Sequence, residues 1–254
     1  MKSANCTLEI DLSKIQQNYK ILQSICLPAE IGAAIKANAY GLGAARVVPS
    51  LYEAGCRNFF VANIDEGFEA RSKLAPGKDI NIYVLNGVFT DDLAMFESEN
   101  LVPVLNHLEQ VNIWQQFTQF KKKILPCVIH INTGINRLGM GDDEIRKLVC
   151  NSSLIDNLEI KYVMSHLSAS EDYNNSYNEF QLNRFSNYLK YFPKAKASLS
   201  NSSGIFLGSK YHFDLVRPGL ALYGGNPTPG QQNPMQNVIK LSAPIIQVQK
   251  LKAG

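Results

Sequence analysis

Short apolar runs alternate along this chain with longer stretches in which apolar residues recur at helical spacing. The runs fall at 32–37, 58–62, 80–85, 102–105, 126–131, 159–165, 197–200 and 213–216, each of strand length. Between them lie patterns such as Ile15, Tyr19, Leu22 and Cys26, which mark one face of a helix, with Ser13 placed to cap its start. Strands that are apolar almost throughout are buried on both faces, which implies a parallel sheet covered by helices. About eight strand–helix units within residues 1–225 predict an α/β fold, a closed (β/α)8 TIM barrel. A doubly wound open sheet is the alternative, and no GxGxxG turn supports it.

The pattern changes after Gly224. Asn226-Pro227-Thr228-Pro229-Gly230-Gln231-Gln232-Asn233-Pro234 is dense in turn formers and reads as a linker. Val238 to Lys252 then has the β-branched, partly alternating character of strands. Residues 226–254 are therefore expected to be a linker and the first strand of an incomplete C-terminal β domain, in a sequence that reads as cut short.

Composition narrows the function without naming it. Of 254 residues, 45% are hydrophobic and 19% charged, the proportions of an ordinary globular protein. The net charge of +3 is small, and apart from Lys121-Lys122-Lys123, read as a solvated helix end, the basic residues are scattered. Neither a nucleic-acid surface nor an anionic-membrane surface is expected. Met1-Lys2-Ser3-Ala4-Asn5 has no apolar signal segment, and no apolar stretch is long enough to span a bilayer, so a cytoplasmic location is expected. Cys6, Cys26, Cys56, Cys127 and Cys150 form no CxxC or Cys/His cluster, so free thiols and no metal site are expected.

Candidate chemistry gathers where the apolar runs give way to loops, the C-terminal strand ends at which a barrel builds its site. Lys36 sits in Ala33-Ala34-Ile35-Lys36-Ala37-Asn38-Ala39-Tyr40-Gly41. Desolvation there would favour the free amine, a nucleophile able to form a Schiff base with a carbonyl. The plainer alternative is a lysine whose stem packs along the core and whose head reaches water. Arg137 follows the fifth run, His166 ends the sixth, Asn201 and Ser202 end the seventh, and Arg217 with Gly219 and Leu220 ends the eighth. Barrels often hold phosphate in their last two loops, and Ser202, Gly219 and Leu220 are placed for that, unless they are an ordinary cap and turn. A Schiff-base lysine facing a phosphate site suggests pyridoxal phosphate or a sugar phosphate.

The segment Ala34-Ile35-Lys36-Ala37-Asn38-Ala39-Tyr40-Gly41 closely resembles the pyridoxal-phosphate lysine motif of alanine racemases. Asn132-Thr133-Gly134-Ile135-Asn136-Arg137-Leu138-Gly139 and Val216-Arg217-Pro218-Gly219-Leu220-Ala221-Leu222-Tyr223-Gly224 resemble two further signatures of that family, in register from about residue 7 onward. The resemblance implies a pyridoxal 5'-phosphate-dependent isomerase that interconverts L- and D-alanine and supplies D-alanine for peptidoglycan. By the same resemblance, Lys36 would hold the cofactor and act as a base on the D-alanine face. Tyr40, Ser202 and the Gly219 and Leu220 amides would bind phosphate, with Asn201 near them. His166 would pack on the pyridine ring and Leu85 would form a wall. Arg217 would face the pyridine nitrogen and keep it unprotonated, which favours racemisation over transamination. Arg137 would lie near the cofactor's phenolic oxygen and the substrate carboxylate.

This chain departs from the family at Leu42, commonly histidine, and at His130, commonly a lysine that can be carbamylated to orient the arginine. His130 either orients Arg137 itself or leaves it to another anion. The family's second base is a tyrosine of the C-terminal β domain, given across a head-to-tail homodimer. Leu251-Lys252-Ala253-Gly254 resembles the segment shortly before it, and Tyr223 does not match its motif. The competing readings are a non-catalytic pyridoxal-phosphate-binding barrel or inactive remnant, a racemase completed by a separate C-terminal fragment, and an aldolase-like lyase. Serine is an alternative substrate.

Overall fold

The computed structural model describes residues 6–252. Met1–Asn5, read above for a signal segment, and Ala253 and Gly254, at the end of the tyrosine-proximal resemblance, lie outside the described residues.

The chain opens with β1 (Thr7–Ile10) and α1 (Leu12–Cys26). Asp11, not Ser13, caps α1: its Oδ1 accepts the N–H groups of Ser13 and Lys14 at 3.0 and 3.2 Å. Both residues suit a cap, but Ser13 already lies within the first turn. Eight parallel strands follow: β2 (Glu30–Ala34), β3 (Asn58–Val61), β4 (Asn81–Val84), β5 (Leu101–Leu105), β6 (Leu125–His130), β7 (Leu158–Met164), β8 (Lys196–Ser198) and β9 (Leu215–Val216). β2 to β8 pair in chain order, and β9 pairs with β2. The last seam is closed by Asp214 N–H to Ala197 O at 3.0 Å and Arg217 N–H to Ser200 O at 2.9 Å. The sheet is thus a barrel, and the open-sheet alternative is excluded.

Helices α3 (Ala44–Glu53), α4 (Ile64–Ser72), α5 (Leu93–Ser98), α6 (Leu108–Lys121), α7 (Asp142–Cys150) and α8 (Ser176–Leu189) cover it. After β8 and β9 come only short 3-10 turns, Gly204–Leu207 and Ser209–Tyr211 after β8 and Leu220–Tyr223 after β9, and α1 packs against the last of these. Lys121 and Lys123 at the end of α6 both pair with Glu97.

Alternate strand residues face opposite sides, which gives the barrel two cores. Ala34, Phe60, Tyr83, Val102, Val104, Val128, Tyr162, Met164 and Leu215 fill the interior. Ala33, Phe59, Val61, Ile82, Leu105, Ile129, Val163 and Val216 face outward into the layer beneath the helices. Within the barrel, Phe60 stacks on Tyr83 at 4.7 Å between centroids and Tyr83 meets Tyr162 edge-on at 5.9 Å.

β10 (Ile239–Ser242) returns to pair antiparallel with β1. The segment before it is docked on the barrel: Met235 and Val238 are buried, and Asn18 bonds Gln236 through both its main-chain groups. Residues 243–252 have no regular secondary structure and expose Ile245, Ile246, Val248 and Leu251. No helix of the described residues is long and apolar enough to cross a membrane.

Candidate active site

The inward stripe of each strand fixes what stands at the barrel mouth. One inward step beyond Ala34, Phe60, Tyr83, Val104, Val128, Met164 and Leu215 come Lys36, Ala62, Leu85, Asn106, His130, His166 and Arg217. All of these except Asn106 line one cavity of about 410 Å³, floored by Phe60 and Met164. Tyr40, Arg137, Asn201, Ser202, Gly219 and Leu220 line the same cavity. All nine site residues expected from the sequence therefore meet in one place.

Lys36 begins α2 (Lys36–Tyr40), a turn of unusual hand. Ala37, Asn38 and Ala39 have φ of 52° to 54° and ψ of 49° to 52°, and Tyr40 also has positive φ. L-residues pay about 1–2 kcal/mol each for the left-handed conformation, so something must hold the turn. Asn38 Oδ1 accepts the Ala44 N–H at 2.7 Å, and the Glu66 carboxylate accepts the Ala37 N–H at 2.8 Å. The amine of Lys36 is half-buried. Desolvation lowers its proton affinity, the charge of Arg137 lowers it further, and Glu66 opposes both.

Arg217 is buried and has no carboxylate partner among the described residues. It donates to Ser198 Oγ at 2.5 Å, Ser165 O at 2.6 Å and Leu199 O at 3.4 Å. Burial lowers its pKa to about 9, which leaves it protonated at neutral pH. His166 is held well below its ordinary pKa by burial and then by Arg217 and Arg137, so its ring is neutral. Its Nε2 lies 3.4 Å from Asn201 Nδ2.

His130 is buried and neutral, its pKa lowered to about 3 by desolvation and by Arg217 and Arg137. Asn106 fixes its tautomer. The amide of Asn106 donates to Leu85 O and Val104 O at 2.9 and 3.0 Å, so its Oδ1 must accept the proton of His130 Nδ1, 2.7 Å away. The lone pair of His130 Nε2 has no partner among the described residues. Arg137 lies on an exposed loop shaped by Asn132 Oδ1, which accepts the N–H groups of Gly134 and Asn136.

At the far side, Ser202 Oγ accepts the N–H groups of Gly219 and Ala221 at 3.0 and 3.1 Å. With both acceptor positions engaged, the hydroxyl proton of Ser202 is left to donate. Gly219 has no room for a side chain, because a Cβ would collide with the Tyr40 hydroxyl and touch Ala34. Tyr40 packs on Tyr223 at 5.0 Å between centroids, and Tyr223 donates to Ala34 O at 2.9 Å.

Sequence reasoning missed Ala62, Asn86, Asn106, Ser170, Glu171 and Ser203. The period-two stripe, carried one step past each strand, would have found Ala62 and Asn106. The other four sit on loops and gave no signal.

The sequence profile of the family described as "Alanine racemase, N-terminal domain" matches residues 10–227. The alanine racemase of Rickettsia conorii is 53% identical over 246 residues, covering 97% of this chain and 67% of that protein. The Rickettsia bellii alanine racemase is 46% identical, over 98% of this chain and 72% of its own length. The crystal structure of the Bartonella henselae alanine racemase with covalently bound pyridoxal phosphate superposes with a TM-score of 0.91 at 40% identity, covering 94% of this chain and 69% of that one. Profile, sequence and superposition all span the barrel and the cavity at its mouth, and this chain belongs to the alanine racemase family.

Proposed function

We propose that the chain is the cofactor-binding barrel of a pyridoxal-phosphate-dependent alanine racemase, interconverting L- and D-alanine. The observation that carries this is a half-buried amine, Lys36, sharing one cavity with a buried arginine that has no carboxylate partner among the described residues. The cavity suits the cofactor: its volume falls in the range of small-ligand sites, one side offers the Ser202 hydroxyl and the loop carrying Gly219 and Leu220, and the floor is apolar.

Pyridoxal phosphate, when bound, draws electrons from the substrate Cα and so acidifies its C–H bond. Lys36 would hold the cofactor, and its free amine would take or return the Cα proton. Its lowered proton affinity brings it nearer the pH at which a base works. Arg217, protonated at neutral pH, would meet the ring nitrogen with an N–H and keep a proton off it. His166, neutral, would pack on the ring. Tyr40, Ser202, Gly219 and Leu220 would bind the phosphate, with Asn201 beside them. Arg137 pairs with the substrate carboxylate. The lone pair of His130 Nε2, unpartnered among the described residues, would be open to the Arg137 guanidinium on its loop, and so would orient it without carrying charge.

The second proton belongs to the opposite face of Cα. We assign it to a tyrosine given by another subunit in a homodimer, across the mouth edged by Leu138 and Leu220. A cytoplasmic enzyme supplying D-alanine to the cell wall follows from this reading.

Purified protein with pyridoxal phosphate should show a visible imine band, and Lys36→Ala should abolish it. A colourless protein at saturating cofactor overturns the proposal. A band without formation of D-alanine from L-alanine would leave cofactor binding and remove racemisation.

A further inference from the structure

Glu66 lies in the first turn of α4 and was not among the residues suggested by motif. Its two carboxylate oxygens are divided between two strand ends. Oε1 accepts the N–H of Ala37 at 2.8 Å, and Oε2 accepts the N–H of Ala62 at 2.7 Å. Ala37 follows Lys36 directly and is the first residue of the left-handed turn. Ala62 is the inward position after Phe60 and lines the cavity. One carboxylate thus ties the end of β2 to the end of β3 through two charge-assisted hydrogen bonds.

We propose that Glu66 is the positioning residue of Lys36, holding the left-handed turn against β3 and supplying the negative charge that opposes Arg137 at the lysine amine. The assignment rests on reading Lys36 as the reactive amine. Arg137 approaches that amine from the loop after β6 and His166 from the end of β7, while Tyr40 closes the same turn. His166 is neutral and Arg137 is a cation, so Glu66 is the group that favours the ammonium. Without it, the lysine would lose the charge that opposes Arg137 from its own turn and would also lose the anchor of its own backbone. The two effects can be separated, because one depends on charge and the other on reach.

Two variants of the cofactor-free full chain make the separation. Competitive acylation with trace acetic anhydride across a pH series, read by mass spectrometry of the Lys36 peptide, reports the proton affinity of the amine. Glu66→Gln removes the charge and should move the Lys36 profile to lower pH. Glu66→Asp keeps the charge but is one methylene too short, so the profile should hold. The same Asp variant should speed amide exchange at Ala37 and Ala62 on the order of 10- to 100-fold, the loss of a hydrogen bond to a charged acceptor. The Val104 and Val163 amides inside the barrel report the global fold and should not change. An unchanged Lys36 profile in folded Glu66→Gln overturns the proposal, as does unchanged Ala37 exchange in Glu66→Asp. If Glu66→Gln fails to fold, the Asp variant decides alone. None of these readouts uses the cofactor, so a protein that stayed colourless would overturn the preceding function and leave these outcomes standing.

Discussion

His130 carries a cost that its surroundings explain. Buried beside two arginines, its ring stays neutral in the folded chain with a pKa of about 3, against about 6.5 when unfolded. A lowered pKa on a base means that the unfolded state binds more protons between these values, so stability falls as pH drops from about 6.5 towards 3. In His130→Gln that acid-side slope should be shallower by up to one proton, about 1.4 kcal/mol per pH unit, measured by urea unfolding at pH 7, 6 and 5. The slope that remains should come largely from His166, which is shifted in the same direction. Lys36, Arg137 and Arg217 were legible in the sequence because a charge at the end of an apolar run is conspicuous. The tautomer of His130 was not, since it depends on Asn106, one strand away, whose own orientation is set by two backbone carbonyls. Glu66 was hidden for the same reason: a carboxylate in the first turn of a helix usually serves that helix, and this one serves its neighbours.

Among the elements, the left-handed turn after Lys36 is the most exacting. Asn tolerates positive φ better than Ala, and the Asn38 side chain also holds the first N–H of α3. Asn38→Ala should cost about 1–2 kcal/mol in urea unfolding and weaken cofactor affinity more than a surface change of equal stability would. A loss of stability with cofactor affinity intact would show that the turn does not position Lys36. All eight strands were legible, because near-continuous apolar runs of strand length leave few alternatives. Their ends were less so: the first run extends to residue 37, yet β2 stops at Ala34, where the backbone changes hand. The two final helices expected of a repeating unit are 3-10 turns instead, and α1 covers the second of them. Nothing local in the sequence marks that substitution of one helix for another, which is settled only when the barrel closes.

For the whole molecule, Asn18 is a link between the barrel and the segment that follows it. It is fully buried, donates to Leu222 O and Gln236 O at 3.1 and 3.0 Å, and accepts the Gln236 N–H at 2.7 Å. Asn18→Ala would leave these groups unpaired, at a cost of about 2–3 kcal/mol. It should also release residues 226–238, so limited proteolysis should cut there well before it cuts the barrel. Equal cutting rates in both proteins would show that Met235 and Val238 dock the segment unaided. Turn-rich composition marks this stretch as an expected linker, but composition does not reveal that Asn18 holds its far end. The ribbon beyond it sets the order in which the protein can be finished. Thr7 lies opposite Ser242, so β1 finds its partner only when the chain has been made through Ser242, after every barrel strand. At roughly 5–20 residues per second that interval is on the order of 10–50 s. Through it the barrel strands can pair in sequence while β1 waits, so the β1–β10 ribbon forms only after the strands of the barrel are available to one another.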